Sequence, residues 1–129
     1  MIRYVEPTEQ LVVKIFARNL ICSMAFYRQL GFELLAHRGS FVELAWEGHR
    51  LFLDERRDVP AAAELPQANI RIMIPDVDAY WKRAQAMGAT VLSALADRDH
   101  GLRDFTILDP DRLGIRFGTR LAPGGPSHA

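Results

Sequence analysis

The feature that most constrains the fold is a pattern that occurs twice with the same internal spacing. In each half of the chain a β-favouring run is followed by a helix-capping residue, a helical stretch and a glycine. The runs are LVVKIFA (11–17) and NIRIMI (69–74), the caps are Asn19 and Asp76, and the glycines are Gly31 and Gly88. Asn and Asp favour helix N-caps, and Gly favours helix C-termini. Because cap and glycine are 12 positions apart in both halves, the pattern predicts an internal repeat with helices over 20–30 and 77–87.

Three further β-favouring runs follow each glycine, so each half is predicted to be a βαβββ module. They are FELLAH (32–37), FVELAW (41–46) and HRLFLDE (49–55), then ATVLSAL (89–95), RDFTIL (103–108) and LGIRFG (113–118). We predict an α+β fold in which modules over 11–55 and 69–118 form one domain, 1–129. The segment 56–68, with two prolines and an alanine run, is predicted to be a linker, and 119–129 a tail.

Composition narrows the classes of partner. The 16 basic and 16 acidic residues give no net charge, which argues against nucleic acid or an anionic membrane surface as the main partner. The first ten residues lack the apolar run of a signal peptide, and no run approaches the roughly 20 apolar residues of a membrane span. We therefore expect a cytoplasmic protein with a small-molecule partner. The single cysteine, Cys22, is predicted to be a small buried side chain of the first helix.

Strand alternation divides the side chains into two faces. The face predicted to pack on the helices is apolar: Val13, Ile15, Ala17, Val42, Leu44, Trp46, Leu51, Leu53, Ile70, Ile72, Ile74, Phe105, Ile107, Ile115 and Phe117. The opposite face mixes charges with large apolar groups: Val12, Lys14, Phe16, Phe41, Glu43, Arg50, Phe52, Asp54, Asn69, Arg71, Met73, Asp104, Thr106 and Arg116. Solvent alone explains such charges in an antiparallel sheet. The phenylalanines and the methionine among them favour a small-molecule cleft instead.

Three segments resemble the vicinal oxygen chelate superfamily, which includes glyoxalases, extradiol dioxygenases, fosfomycin-modifying enzymes and bleomycin resistance proteins. They are NLICSMAFYRQLGFELL, FVELAWEGHRLFLDE and GLRDFTILDPDRLGIRFG, and the last two are most similar to the bleomycin resistance branch. The resemblance covers 11–120. Asn19 replaces the usual aspartate, and DPDRLG lacks the usual Gly-Asn of the last turn. The resemblance implies a curved mixed sheet around a cleft and a homodimer.

The resemblance also implies where metalloenzyme members hold their ion, namely at the positions of Val12, Phe52, Asn69 and Arg116. Valine and phenylalanine have no donor atom, asparagine is a weak neutral ligand, and arginine stays protonated. We therefore expect no metal site there and no cofactor.

Histidines and carboxylates are the other candidates for chemistry. His37, His49, His100 and His128 are predicted to be surface side chains, although the loop of His100 could reach the cleft mouth. The run 97–100 contains Asp and His side chains typical of a metal cluster, and its alternating charges suit a mobile loop at least as well. Glu43, Asp54 and Asp104 could pair for acid–base work, but the neighbouring cations favour ionised, salt-bridged carboxylates. We expect Arg116 to point into the cleft and to pair with Asp54 or Glu43 when no ligand is bound. Trp46 and Trp81 are expected to be structural.

These expectations favour a non-catalytic, antibiotic-binding protein of the bleomycin resistance type. Its predicted ligand-binding residues are Lys14, Phe16, Phe41, Glu43, Arg50, Phe52, Asp54, Asn69, Arg71, Met73, Asp104 and Arg116. The excess of cations among them does not favour the cationic bleomycin as the ligand. The alternative is a metal-dependent glyoxalase-like lyase or isomerase, or a dioxygenase, with a relocated metal on residues such as His49, Glu43, Asp54 or Asp104. A partner-docking surface is the third possibility.

Overall fold

The computed structural model describes residues 2–60 and 66–122. The elements are α1 (Pro7–Gln10), β1 (Val13–Ala17), α2 (Leu20–Leu30), β2 (Glu33–Arg38), β3 (Phe41–Trp46), β4 (His49–Glu55), β5 (Asn69–Met73), α3 (Val77–Ala86), β6 (Thr90–Asp97), β7 (Leu102–Leu108) and β8 (Gly114–Arg120). The chain divides into two compact units, Met1–Ala61 and Ala62–Ala129. The predicted α+β class and the two βαβββ modules are confirmed. The predicted linker and tail lie partly outside the described residues, and the short helix α1 was not predicted.

The first unit contains a four-stranded mixed sheet in the order β1-β4-β3-β2. β1 pairs in parallel with β4, and the other pairs are antiparallel. Helix α2 begins where Asn19 Oδ1 accepts a hydrogen bond from the Cys22 amide at 3.1 Å. It ends at Gly31, whose φ of 120° suits a residue without a Cβ. The predicted bounds of α2 and both of its terminal signals are therefore confirmed.

The second unit repeats this arrangement, with a sheet in the order β5-β8-β7-β6. Asp76 caps α3 by accepting from the Ala79 amide at 3.2 Å. The Val77 amide also donates to Thr119 Oγ1 at 3.0 Å, which ties the start of the helix to β8. After α3, Gly88 has a φ of 70°, as its predicted role at the helix end requires.

The apolar faces of the sheets form the cores of their units. Twelve of the fifteen residues assigned to this face are buried: Ile15, Ala17, Val42, Leu44, Leu51, Leu53, Ile72, Ile74, Phe105, Ile107, Ile115 and Phe117. In the second unit, Tyr80 of α3 stacks on Phe117 and Trp81 packs against Phe105, each with ring centroids 5.1 Å apart. Helix α3 therefore covers the apolar face of its sheet and leaves the polar face uncovered by that helix.

Four of the predicted burial assignments need correction. Cys22 is exposed because the buried side of α2 carries Leu20, Ser23, Tyr27 and Leu30, and position 22 points away from it. Val13 is 50% exposed because it begins an edge strand that has a neighbour on one side only. Trp46 and Ile70 are half-buried. Within the described ranges, neither α2 nor α3 has the length and hydropathy needed to cross a bilayer.

Candidate functional site

The first polar face is the side of the first sheet opposite its core, defined by Lys14, Phe16, Phe41, Glu43, Arg50, Phe52 and Asp54. Its charges are paired. Lys14 Nζ lies 3.3 Å from Asp54 Oδ2, and Arg50 Nε lies 3.2 Å from Glu43 Oε1. The contact between Arg50 and Glu43 is an ion pair only, since Arg50 Nε makes no hydrogen bond within the described chain. Arg50 Nη2 also lies 3.5 Å from Glu9 of α1. Each carboxylate of this face therefore has a cation beside it.

Aromatic rings lie between these charges. Phe41 and Phe52 pack edge to face with centroids 5.1 Å apart. The charged groups of Lys14 and Arg56 lie 5.5 and 5.3 Å from the centre of the Phe16 ring, which is 40% exposed. Partly exposed rings with cations above them offer flat surfaces for an unsaturated or aromatic ligand.

The second polar face is the corresponding side of the second sheet, defined by Asn69, Arg71, Met73, Ser93, Asp104, Thr106, Arg116 and Gly118. Strand register places Arg71 opposite Arg116, Arg116 opposite Thr106, and Thr106 opposite Ser93. One row of polar side chains thus crosses all four strands. Met73 and Asp104 flank Gly118 in the neighbouring row.

The centre of this face is Asp104, whose side chain is 5% exposed and binds two arginines. Arg98 Nε donates to its Oδ1 at 2.8 Å. Arg116 donates to its Oδ2 from Nε at 2.8 Å and from Nη2 at 2.5 Å. Arg98 is fixed further by Nη2, which donates to Ser93 Oγ at 2.9 Å and to the Ala94 carbonyl at 2.6 Å. A buried carboxylate therefore orients both guanidinium groups.

Asp104 is ionised in this environment. Its burial opposes the charged form and is the largest single effect on the carboxyl group. The hydrogen bonds and positive charges of Arg98 and Arg116 together outweigh burial and lower the pKa of Asp104 below its ordinary value. The group can accept hydrogen bonds, but it is unsuited to donating a proton as a general acid near neutral pH.

His100, predicted to be a surface side chain whose loop could reach the cleft mouth, contacts Arg116 on this face. Its Nε2 lies 2.7 Å from Arg116 Nη2 and 3.6 Å from Asp104 Oδ2. Since the guanidinium can only donate, the contact is a hydrogen bond when Nε2 of the imidazole is unprotonated. The expectation that Arg116 pairs with Asp54 or Glu43 is wrong, because its partners in the described chain are Asp104 and His100.

The loop that carries Arg98 and His100 is a tight turn between β6 and β7. The Arg98 amide donates to the Leu102 carbonyl at 2.7 Å, and the Gly101 amide donates to the Arg98 carbonyl at 3.1 Å. Arg98 was missed as a site residue because alternation says nothing about residues beyond a strand. The usable signal was the short spacing from Arg98 to Asp104 in a hairpin.

Asp109 of the DPD turn has a structural role. Its buried side chain accepts hydrogen bonds at Oδ1 from the Asp111 amide at 2.9 Å and the Leu113 amide at 2.8 Å. The turn also contains Arg112 in the left-handed region, with a φ of 67°. The carboxylate replaces backbone partners that the turn lacks, so that β8 starts in register with β5 and β7.

The positions where the resemblance implies metal ligands do not fit a metal ion. Val12 and Phe52 offer no donor atom, Asn69 is a weak neutral ligand, and Arg116 is a cation bound to Asp104. In residues 2–60 and 66–122, no group of three or more His, Cys, Asp or Glu side chains is arranged to hold a metal ion. The run 97–100 forms no such cluster. His37 and His49 are exposed, and His128 lies outside the described residues.

Two repeated βαβββ units, each with a helix on one sheet face and a polar opposite face, define a duplicated α+β protein. The sequence matches the model of the glyoxalase/bleomycin resistance protein/dioxygenase superfamily over residues 10–117. The chain belongs to this superfamily. No curated protein matches its sequence significantly.

Solved structures share the fold at low sequence identity. A glyoxalase/bleomycin resistance protein/dioxygenase from Alicyclobacillus acidocaldarius is 20% identical with a TM-score of 0.74, over 92% of this chain and 96% of that one. A bleomycin resistance determinant encoded on the transposon Tn5 is 17% identical with a TM-score of 0.71, over 87% and 98%. Lactoylglutathione lyase from Agrobacterium tumefaciens is 21% identical with a TM-score of 0.67, over 88% and 96%. The same fold thus occurs in a resistance protein and in an enzyme, so the fold alone does not distinguish these two functions.

Proposed function

We propose that this chain is a non-catalytic binding protein of the bleomycin resistance type, which sequesters a small antibiotic-like molecule. The ligand-binding residues are those predicted from the sequence on the two polar faces. The observation that carries the proposal is Arg116, a guanidinium held by Asp104 at a position where metalloenzyme members of the superfamily hold their ion. A cation there repels a metal and attracts a polar ligand group.

The ion pairs made by the carboxylates of the two faces support ligand binding rather than acid–base chemistry. Asp54 and Glu43 lie beside Lys14 and Arg50, and Asp104 is held by two arginines. A general acid near neutral pH needs a raised pKa, which burial without a cation provides. A sequestering protein needs affinity and expression, and these faces provide aromatic rings and oriented donors for affinity.

A thermal-shift screen against antibiotics and planar aromatic acids tests the proposal. A ligand that binds only the folded chain at about 100 times its Kd stabilises it by about 2.7 kcal/mol, a readily measured rise in Tm. Mass spectrometry of the recovered ligand must show it unchanged. Turnover of a bound compound, or a purified protein that carries stoichiometric metal and loses binding with a chelator, would favour the lyase or dioxygenase alternative and overturn the proposal.

The proposal includes the homodimer and the cytoplasmic location expected from the sequence. Light scattering after size-exclusion chromatography measures the mass directly. A mass near twice the 14.6 kDa of one chain is expected, and a monomer at working concentrations would refute this part.

A further inference from the structure

Positive charge exceeds negative charge on the second polar face. Three guanidinium groups, those of Arg71, Arg98 and Arg116, accompany the single carboxylate of Asp104. The other nearby carboxylates are engaged elsewhere, since Arg103 binds Asp97 at 3.1 Å and Asp78 of α3 at 3.0 Å. The exposed Asp99 of the β6–β7 turn makes no ion pair within the described residues. Even when the charge of Asp99 is counted, three guanidinium groups against two carboxylates leave the face with a net positive charge.

Arg71 supplies most of the unused donors. It is exposed, and within residues 2–60 and 66–122 its guanidinium has no hydrogen-bond or ion-pair partner. Its partner across the parallel β5–β8 pair is Arg116, on the same face and about 4.8 Å away at the backbone. Arg116 uses Nε and Nη2 on Asp104 and His100, which leaves Nη1 without a partner in the described chain. Two adjacent guanidinium groups thus present free N–H donors.

Adjacent arginines repel each other unless an anion lies between them. The planar fork of a guanidinium matches the two oxygens of a carboxylate, and such charge-assisted pairs are stronger than neutral hydrogen bonds. Arg71 has such a fork free, whereas Arg116 offers only Nη1. Asp104 holds the Arg116 guanidinium in a fixed orientation, so less side-chain entropy is lost when an anion binds that nitrogen.

An apolar edge adjoins the two arginines. Met73 and Gly118 lie one row further along β5 and β8, about 7 Å from the Arg71–Arg116 row. A Cβ at Gly118 would be 3.6 Å from Met73 Sδ and 3.5 Å from Asp104 Cβ, so the glycine leaves space for about one methyl group between them. A hydrocarbon portion next to a carboxylate would lie over this row.

We propose that Arg71 and Arg116 bind the carboxylate of an amphipathic ligand, with its apolar portion over Met73 and Gly118. The inference rests on the proposed function and specifies its ligand class as an organic anion. This ligand class argues against a cationic glycopeptide as the natural ligand.

The test is titration of the full-length protein with benzoate and, separately, with inorganic phosphate. Isothermal titration calorimetry measures affinity, and amide chemical shifts of Gly114 and Gly118 report the location. We expect benzoate to bind and to shift both glycine amides. Arg71→Gln is expected to weaken binding about tenfold, the effect of losing one charge-assisted pair at an exposed site. Arg71→Lys keeps the charge and loses the planar guanidinium, so its affinity for benzoate is expected to lie between those of the wild type and Arg71→Gln.

The matched control is Lys82→Gln, which removes the same charge from α3 on the other side of the sheet. It is expected to change benzoate affinity less than about twofold. Because Arg71 is exposed and makes no described contact, its variant should retain the wild-type Tm, so lost binding cannot be ascribed to unfolding. Equal affinities of the Arg71→Gln and Lys82→Gln proteins, or no benzoate binding, would overturn the inference. Phosphate binding without benzoate binding would also overturn it, since the site would then prefer a tetrahedral oxyanion.

The outcomes separate this inference from the proposed function. A neutral or cationic ligand found in the antibiotic screen and recovered unchanged, together with failure of benzoate, would leave the function standing and remove the anion site. Benzoate binding that depends on Arg71, together with turnover of a related acid, would keep the site and remove the non-catalytic function.

Discussion

The strongest test of the second polar face is replacement of its buried carboxylate by an amide, Asp104→Asn. The substitution keeps the size of the side chain and removes its charge. Arg98 and Arg116, whose side chains are 29% and 25% exposed, then lose the only carboxylate that binds them in the described chain. Asparagine retains one acceptor oxygen, which can still accept from one of the two guanidinium groups, while its NH2 group can only face the other as a donor.

The expected loss is about 3 kcal/mol in the free energy of unfolding of the second unit. Removing one member of a buried ion pair costs about 3–5 kcal/mol, because the remaining charge is left without compensation. The value falls at the lower end because both arginines have a quarter or more of their side-chain surface in contact with water and can turn toward it.

The pH dependence supplies a second, independent readout. The folded-state pKa of Asp104 is lower than the value of about 3.9 in an unfolded chain. The carboxylate therefore contributes its stability above about pH 4, and this contribution is lost as pH falls through the lower folded-state pKa. The difference in unfolding free energy between wild type and Asp104→Asn should be largest near about pH 7 and should shrink below about pH 4.

Urea denaturation followed by tryptophan fluorescence measures this difference. Trp81 packs on Phe105 in the second unit, and Trp46 packs on Phe32 in the first. Introducing Trp46→Phe into both proteins leaves Trp81 as the only tryptophan, so the signal reports the second unit. Equal unfolding free energies at about pH 7, or a difference that does not change on acidification, would refute the reasoning from the ion-pair network.

Two further predictions concern the last hairpin and the β5–β8 pairing. Asp109→Ala removes the acceptor of two amides in a buried turn, and it should lower the unfolding free energy by about 2 kcal/mol, whereas Asp109→Asn, which keeps Oδ1, should lose less; equal losses in denaturant titrations would contradict the turn's dependence on that oxygen. Gly114→Ala would place a Cβ 2.8 Å from Asn69 Cβ and should cost about 1–3 kcal/mol, while Gly118→Ala, with no atom closer than 3.5 Å, should not lower the Tm. A Gly114→Ala protein as stable as wild type would show that the two strands can separate without cost.

The sequence predicted elements well where a local rule decides the structure. Asn19 and Gly31 fix the ends of α2 through hydrogen bonds within a few residues, so their spacing alone predicts the helix. Alternation predicted most of the core because β3, β4, β7 and β8 have neighbours on both sides and one covered face. The assignment failed for Val13, at the open edge of a sheet, and Trp46 and Ile70 are only half-buried.

Local rules did not predict the partners of Arg116. Parity placed Arg116 and Asp104 on one side of the sheet, but only the register, which sets Thr106 opposite Arg116, makes Asp104 its diagonal neighbour. Arg98 was not predicted because it lies in the turn after β6, where strand alternation does not apply. β6 itself has two register shifts, between Val91 and Ser93 and between Ser93 and Ala96, so alternation along the strand does not lead to the position of Arg98 either.

The ratio of arginines to carboxylates decides what the second polar face can do. If Asp104 bound Arg116 alone, the pair would be neutral and the face would attract an anion only through Arg71. Because Arg98 binds the same carboxylate, Asp104 compensates two cations at once, and the Arg98–Asp104–Arg116 group keeps a positive charge. A carboxylate shared in this way is too strongly ionised to act as an acid, and it is too occupied to ligate a metal. The network therefore presents two oriented guanidinium groups around a carboxylate that stays ionised.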